Sequence, residues 1–253
     1  MTDYNLYRSS IFHCIEDASN VKPVYFPDGL MVVSGGRIVE VGEYSKLSVR
    51  FSSGNPIVHF KDSLIMPGFI DSHIHYPQYK VISSYGTSLL EWLNKYTFVE
   101  EQKFSDIDYA ARVAELFLDE LLKNGTTTAM TFCTSHKQSV DAFYSAAEKR
   151  NLRMIAGKVM MDRNAPDELC DDIESSYADS KSLIEKWHNK GRLSYAVTPR
   201  FAPTSTEGQL IQAAKLLKEY PNTKSAKGVL LQTHLNENSD EIAWVKALYP
   251  QSK

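Results

Sequence analysis

The chain has 253 residues, with 28 Lys plus Arg against 31 Asp plus Glu, for a formal charge of −3. Hydrophobic residues make up 43% and charged residues 23%, an ordinary globular balance at a length that buries a core without disulfide staples. The slight acidity argues against a nucleic-acid grip, which wants a basic face, and at a mean hydropathy of −0.33 no run approaches the ~18 apolar residues of a membrane span.

From the N-terminus, residues 1–20 carry Asp3, Arg8, His13, Glu16 and Asp17 without an apolar stretch, so no secretory signal is expected. Short apolar runs at 31–33, 37–41 and 57–60 follow, separated by turn signals at Pro27-Asp28-Gly29, Gly35-Gly36 and Ser52-Ser53-Gly54-Asn55. They read as a small antiparallel β unit, with Gly35-Gly36 as a two-residue hairpin turn. After Met66-Pro67-Gly68 the pattern becomes strands alternating with helices, beginning with a strand at 69–75. A helix is predicted over 106–123. Ser105-Asp106-Ile107-Asp108 opens it like a capping box, and Tyr109, Val113, Leu116, Phe117 and Leu121 form its apolar stripe. Gly125 ends it, since glycine tolerates the positive φ that reverses a helix. Further strands are predicted at 126–133, 152–161, 193–199 and 229–234, with helices at 139–150, 175–189, 207–219 and 239–248. Such alternation implies a parallel sheet flanked by helices. An open doubly wound sheet would carry a glycine-rich turn after its first strand, but this one ends in His73-Ile74-His75. The expected fold class is therefore α/β, an incomplete (β/α)8 TIM-barrel type of about five β/α units. Cys14, Cys133 and Cys170 are odd in number and too widely spaced for a zinc knuckle or a CxxC pair, which points to reduced thiols in the cytoplasm.

His73 and His75 alternate along a strand, so both imidazoles project to one side at its C-terminal end, where parallel barrels keep their chemistry. Paired imidazoles suit zinc, although an isolated HxH triplet is equally a pair of solvated or core histidines. Asp71 shares their face and could support them through a hydrogen bond. His234, at the end of the fifth strand, with Glu237 three residues later, supplies a third donor and a carboxylate for proton transfer. Glu237 alone could simply favour the start of the following helix. Both groups fall on the same rim of the same sheet, and the combination is far more specific than either half.

The segment Pro67-Gly68-Phe69-Ile70-Asp71-Ser72-His73-Ile74-His75 resembles the first-strand motif of the amidohydrolase superfamily. His75-Tyr76-Pro77-Gln78-Tyr79 and Leu90-Glu91-Trp92-Leu93-Asn94-Lys95-Tyr96-Thr97-Phe98 resemble the guanine deaminase family within it. Thr198-Pro199-Arg200-Phe201-Ala202-Pro203-Thr204 and Gln232-Thr233-His234-Leu235-Asn236-Glu237-Asn238 are similar to further blocks of that family. The resemblance implies a zinc-bearing barrel, a small β-sandwich assembled from both chain ends, a homodimer, and hydrolysis of guanine to xanthine and ammonia. On that basis residues 1–66 form the N-terminal part of the sandwich and residues 67–253 form strands one to five of the barrel.

Carried over by residue, the resemblance makes His73, His75 and His234 ligands of one zinc ion per subunit. Glu237 becomes the acid/base, and Gln78, Arg200 and Phe201, together with His234, line the guanine pocket. Read without it, Arg200 is a surface salt bridge and Phe201 ordinary core. His136, after the second strand, is a candidate for supporting the site. Trp92, Tyr96 and Phe98 are either a cover over the pocket or a core stripe. Two-metal members of the superfamily bridge their ions with a modified lysine at the end of the fourth strand. Here that strand has none, and Lys158 falls in the third, which favours a single zinc. The family also needs a histidine after strand six and an aspartate after strand eight. The chain ends at Lys253, soon after His234, so the sequence is expected to be an N-terminal portion whose independent activity is in doubt. Two other readings stay open: an aminohydrolase of a different purine, pterin or triazine, and an inactive fragment that serves only in interaction.

Overall fold

The computed structural model describes residues 3–17 and 20–251. The chain forms two compact units, Met1–Gly68 and Phe69–Lys253.

The first unit is a four-stranded sheet of β1 (Asn5–Asp17), β2 (Asn20–Ser34), β3 (Arg37–Glu43) and, after helix α1 (Tyr44–Phe51), β4 (Ile57–Ile65), in the order β3-β2-β1-β4. The Gly35-Gly36 turn joins β2 to β3 with φ of +57° and +72°, the left-handed pair that a two-residue hairpin requires. Three expectations change. Residues 5–17 form the long strand β1, where none was predicted. The Pro27-Asp28-Gly29 signal is a bulge inside β2 and not a turn, because Ser9 pairs with Gly29 while Ile11 pairs with Phe26. Arg8 holds the bulge by a two-point bond to Asp28, 2.7 Å at each oxygen. A Cβ at Gly29 would lie 2.7 Å from Ile11 Cγ1, which is why glycine stands there. The sheet is also mixed: β1 and β4 run parallel, as the α1 crossover permits. Leu47 of α1 packs on Leu6, Leu30 and Val32 to make the small core of this unit.

The second unit is built on parallel strands β5 (Phe69–His75), β6 (Thr126–Phe132), β7 (Arg153–Gly157), β9 (Ser194–Pro199) and β10 (Leu230–Leu231). The sheet order is β10-β9-β7-β6-β5, with β8 (Val159–Met160) paired to β9. Each new strand is added on the same side of the last, so the winding never reverses. That is the progression of a barrel and not of a doubly wound sheet. Five β/α units are present, and the barrel is incomplete.

Short helices α2 (Leu89–Trp92) and α3 (Phe98–Glu101), joined by a π turn at Leu93–Thr97, precede the long helix α4 (Ile107–Lys123). Asp106 caps α4 by accepting from the backbone N–H of Asp108 and Tyr109. Its buried stripe is Ala110, Val113, Ala114, Phe117, Leu118 and Leu121, one step out of phase with part of the predicted one. Leu116, expected inside, is 51% exposed. Helices α5 (Lys137–Lys149), α6 (Ile173–Trp187) and α7 (Glu207–Glu219) follow in turn, and α8 (Ser239–Leu248) comes after β10. Buried residues of α4 to α7 pack with Met154, Ala156, Tyr195 and Val197 of the strands in the main core. The predicted third strand is interrupted at Lys158, whose buried ammonium pairs with Asp171 and whose backbone N–H donates to Tyr195 Oη at 3.1 Å. No helix among the described residues is long and apolar enough to cross a membrane.

Candidate metal centre and its pocket

Residues at the C-terminal ends of three strands build the site. On β5, Ile74 packs against the main core, so His73 and His75 on either side of it project the opposite way. The regular ladder of β10 stops at Leu231, but Gln232 N–H donates to Val197 O at 3.1 Å and His234 N–H to Arg200 O at 2.9 Å. These bonds carry the extended chain along β9 as far as His234. The Gln232 amide ties the rim together, donating to Thr131 O at 3.1 Å and Thr198 Oγ1 at 2.9 Å.

One ring nitrogen from each of His73, His75 and His234 lies within 4.8 Å of the others. The ring centroids form a nearly equilateral triangle, 5.3, 4.8 and 5.0 Å on its sides. His234 Nδ1 sits 2.7 Å from Arg200 O. A carbonyl only accepts, so Nδ1 carries the proton and Nε2 keeps its lone pair. That Nε2 faces His75 Nε2 at 2.9 Å. Phe132 lies under all three imidazoles, at 5.1, 4.5 and 4.4 Å. Burial, then the nearby Arg200 charge, holds the His75 imidazole well below its usual range. Burial also depresses His234, to about 4, against the opposing bond to Arg200 O. Both imidazoles are therefore neutral near pH 7, the form that ligates a metal. Three converging imidazoles, one oriented by a backbone carbonyl, match a metal site in donor type and number.

The cluster opens into a cavity of about 390 Å³ whose lining includes Gln78, Trp92, Leu93, Arg200, Phe201 and Glu237, a size suited to a small heterocycle. Burial, followed by the nearby Glu241, raises the Glu237 carboxyl. Glu241 is itself buried and accepts from the Asn236 and Glu237 backbone N–H groups at 3.2 and 2.7 Å, which fixes the loop that carries Glu237. Arg200 is only 2% exposed, and its Nη1 donates to both oxygens of the buried Glu101, at 3.0 and 2.8 Å. It is thus no surface salt bridge. Phe201 is 4% exposed and packs with Leu93, Phe98 and Phe132. Trp92 reaches the cavity with its indole N–H held by Ser84 O at 3.1 Å, while Phe98 is core.

Two anticipated supports are not brought into the cavity lining. Asp71 accepts from the His73 backbone N–H at 3.0 Å and, among the described residues, bonds no imidazole. His136 forms the N-terminal boundary of α5, and its buried Nε2 lacks a partner among the described residues. Sequence reasoning missed Phe132, Glu101 and Glu241. Only the spacing of Glu237 and Glu241 along one segment gave any local signal.

A family model for the amidohydrolase family matches residues 64–253. Guanine deaminase of Escherichia coli strain K12 is 51% identical over 226 residues, covering 89% of this chain and 50% of that protein. Among solved structures, guanine deaminase from Bradyrhizobium japonicum superposes with a TM-score of 0.92 at 38% identity, over 99% of this chain and 54% of that one. Guanine deaminase from C. acetobutylicum with guanine bound in its active site gives 0.87 at 33% identity, over 99% and 57%. The chain spans about half the length of the relatives it matches.

Proposed function

We propose that this chain, which belongs to the amidohydrolase family, carries the metal-binding and purine-recognising part of an enzyme that hydrolyses guanine to xanthine and ammonia. The observation that carries the reading is the convergence of His73, His75, His234, Arg200 and Glu237 on one cavity. The similarity to a guanine deaminase with guanine bound supports the choice of substrate.

His73, His75 and His234 would hold one zinc ion. Bound there, zinc supplies Lewis acidity and lowers the pKa of water toward ~7. The remaining work falls to the chain's own side chains. Arg200, a donor with no acceptor, binds the carbonyl O6 and thereby draws electron density away from C2. Gln78, with both donors and an acceptor, satisfies a ring edge, and Phe201 covers the heterocycle face. Glu237 takes a proton from the water attacking C2 and delivers protons to the ring nitrogen and the departing amine. Water and guanine thus become xanthine and ammonia with no atom unaccounted for. Its raised pKa suits a group that must both take and give a proton near neutrality.

We further assign residues 1–66 to the N-terminal part of a composite β-sandwich and 67–253 to the partial barrel, supported by the compact division after Gly68. The three cysteines are free, which supports a reducing, cytoplasmic setting. The homodimer is assigned from the family resemblance alone.

The test is ammonia release by the whole protein. Glu237→Gln is expected to lower turnover of guanine about 10³-fold while zinc content stays at one per chain. Faster release from adenine, a pterin or a triazine than from guanine would overturn the substrate. Zinc retained in full by a triple His73→Ala, His75→Ala, His234→Ala variant would overturn the ligand set.

A further inference from the structure

We infer that Glu101 is the positioning residue of the pocket: it clamps one terminal nitrogen of Arg200 so that the remaining donors of the guanidinium read a ring carbonyl and reject a ring amine. The inference rests on the guanine reading above and deepens it, because nothing in that reading explains how Arg200 is aimed.

Both Glu101 oxygens take their bonds from the same nitrogen, Nη1. A fork-to-fork pair would occupy two nitrogens. This arrangement leaves Nη2 and Nε without a carboxylate partner among the described residues. Arg200 and Glu101 are 2% and 0% exposed, so water does not compete for the pair. The backbone of Arg200 is fixed as well. Its N–H donates to Met160 O at 3.2 Å, and its carbonyl accepts from the His234 backbone at 2.9 Å and from the His234 ring at 2.7 Å. Phe98, one turn before Glu101 on α3, places its ring 5.2 Å from the guanidinium carbon.

Another carboxylate, Glu237, lines the same cavity as Arg200. A buried guanidinium released from Glu101 would be drawn to Glu237, since an uncompensated buried charge is the costlier state. The proton-moving carboxylate and the carbonyl-binding cation would then neutralise each other. Glu101 keeps the two roles apart by holding Arg200 from behind. Because the guanidinium donates and never accepts, a fixed one gains a charge-assisted bond from a carbonyl and faces N–H against N–H at an amine. A mobile one can turn away from the amine and loses this selectivity.

The test uses the zinc-loaded chain and fluorescent 2-aminopurine as the probe, with guanine and 2,6-diaminopurine as competitors read from initial displacement amplitudes. These two competitors differ in carrying a carbonyl or an amine at C6. The wild-type chain is expected to favour guanine by at least about tenfold, the worth of one charge-assisted bond. In Glu101→Gln the ratio should fall toward one, with zinc content and 2-aminopurine affinity unchanged. A residue needed only for folding would lower all three readouts together. If Glu101→Gln does not fold, Glu101→Asp decides, since it keeps the charge but withdraws it by one methylene and should reduce the ratio at least threefold. An unchanged ratio in a folded variant overturns the role of Glu101 and leaves the guanine reading intact. Absence of a guanine preference in the wild-type chain overturns the guanine reading, and this inference with it.

Discussion

The depressed basicity of His75 and His234 makes a measurable demand on the metal-free chain. In the fold His234 resists protonation down to about 4, whereas its ordinary value is 6.5. The unfolded chain therefore takes up a proton at this position first as the pH falls. The stability contributed by His234 is complete above pH 6.5, declines through the window between the two values, and is lost below about 4. At 1.36 kcal/mol per pH unit, that gap corresponds to about 3 kcal/mol from His234 alone. His75, also held low by burial, acts in the same direction. Urea unfolding in the presence of a chelator, repeated from pH 7.5 to pH 4, reads this loss. Tryptophan fluorescence is the right probe because Trp92, Trp187 and Trp244 all belong to the second unit. The control is His234→Asn, which keeps a donor for Arg200 O but cannot ionise. Its stability should fall by about 3 kcal/mol less than that of the wild type over the same window. Equal losses in the two proteins, within about 1 kcal/mol, would show that His234 is not desolvated in the fold and would refute the argument.

Three further outcomes follow from the packing. Tyr144→Phe is expected to cost about 2–3 kcal/mol by urea unfolding, because the buried hydroxyl accepts from Ala156 N–H at 2.9 Å and serves Ala156 O and Ser194 O at 2.7 and 2.6 Å, leaving an orphaned backbone donor. Gly157→Ala should fail to give a stable second unit, since its Cβ would fall 1.8 Å from Ala196 O, a backbone atom of the neighbouring strand that cannot retreat; a normal unfolding midpoint would contradict the β7–β9 geometry. Asp106→Ala removes the acceptor for two N–H groups at the start of α4 and should cost about 1 kcal/mol, with little effect on zinc content.

Much of the barrel architecture was legible because its signals are local. The first barrel strand, β5, and helices α7 and α8 matched their predicted bounds, and Gly125 closes α4 at φ +81°. Where the reading slipped, a tertiary partner had overridden the local signal. Pro27-Asp28-Gly29 looks like a turn until Arg8, twenty residues away, grips Asp28 and keeps β2 running. The third predicted strand looks continuous until Lys158 must meet Asp171. Leu116 belongs to an apolar run but falls off the buried phase, which small residues Ala110 and Ala114 complete. Alanine carries too little hydrophobic signal to mark a helix face, yet it is what lets α4 approach its neighbours closely.

The site divides along the same line. Its donors were legible because strand alternation places His73 with His75, and a parallel sheet brings the end of the last strand to the same rim. The residues that make those donors usable were not. Phe132 touches all three imidazoles with an apolar ring that carries no signal of metal chemistry. Glu101 meets Arg200 across 99 positions, from a helical segment read only for its aromatics. A ligand advertises its chemistry by residue type, whereas a side chain that orients or desolvates the ligand can be any residue that fits the space. A linear peptide that joins residues 66–80 to residues 230–238 keeps all three histidines but loses the Phe132 floor and the Arg200 carbonyl that fixes His234, and should therefore bind zinc more weakly than the folded unit. If that joined peptide matched the chain in zinc affinity, the three donors alone would suffice, and the orienting contacts would then need another explanation.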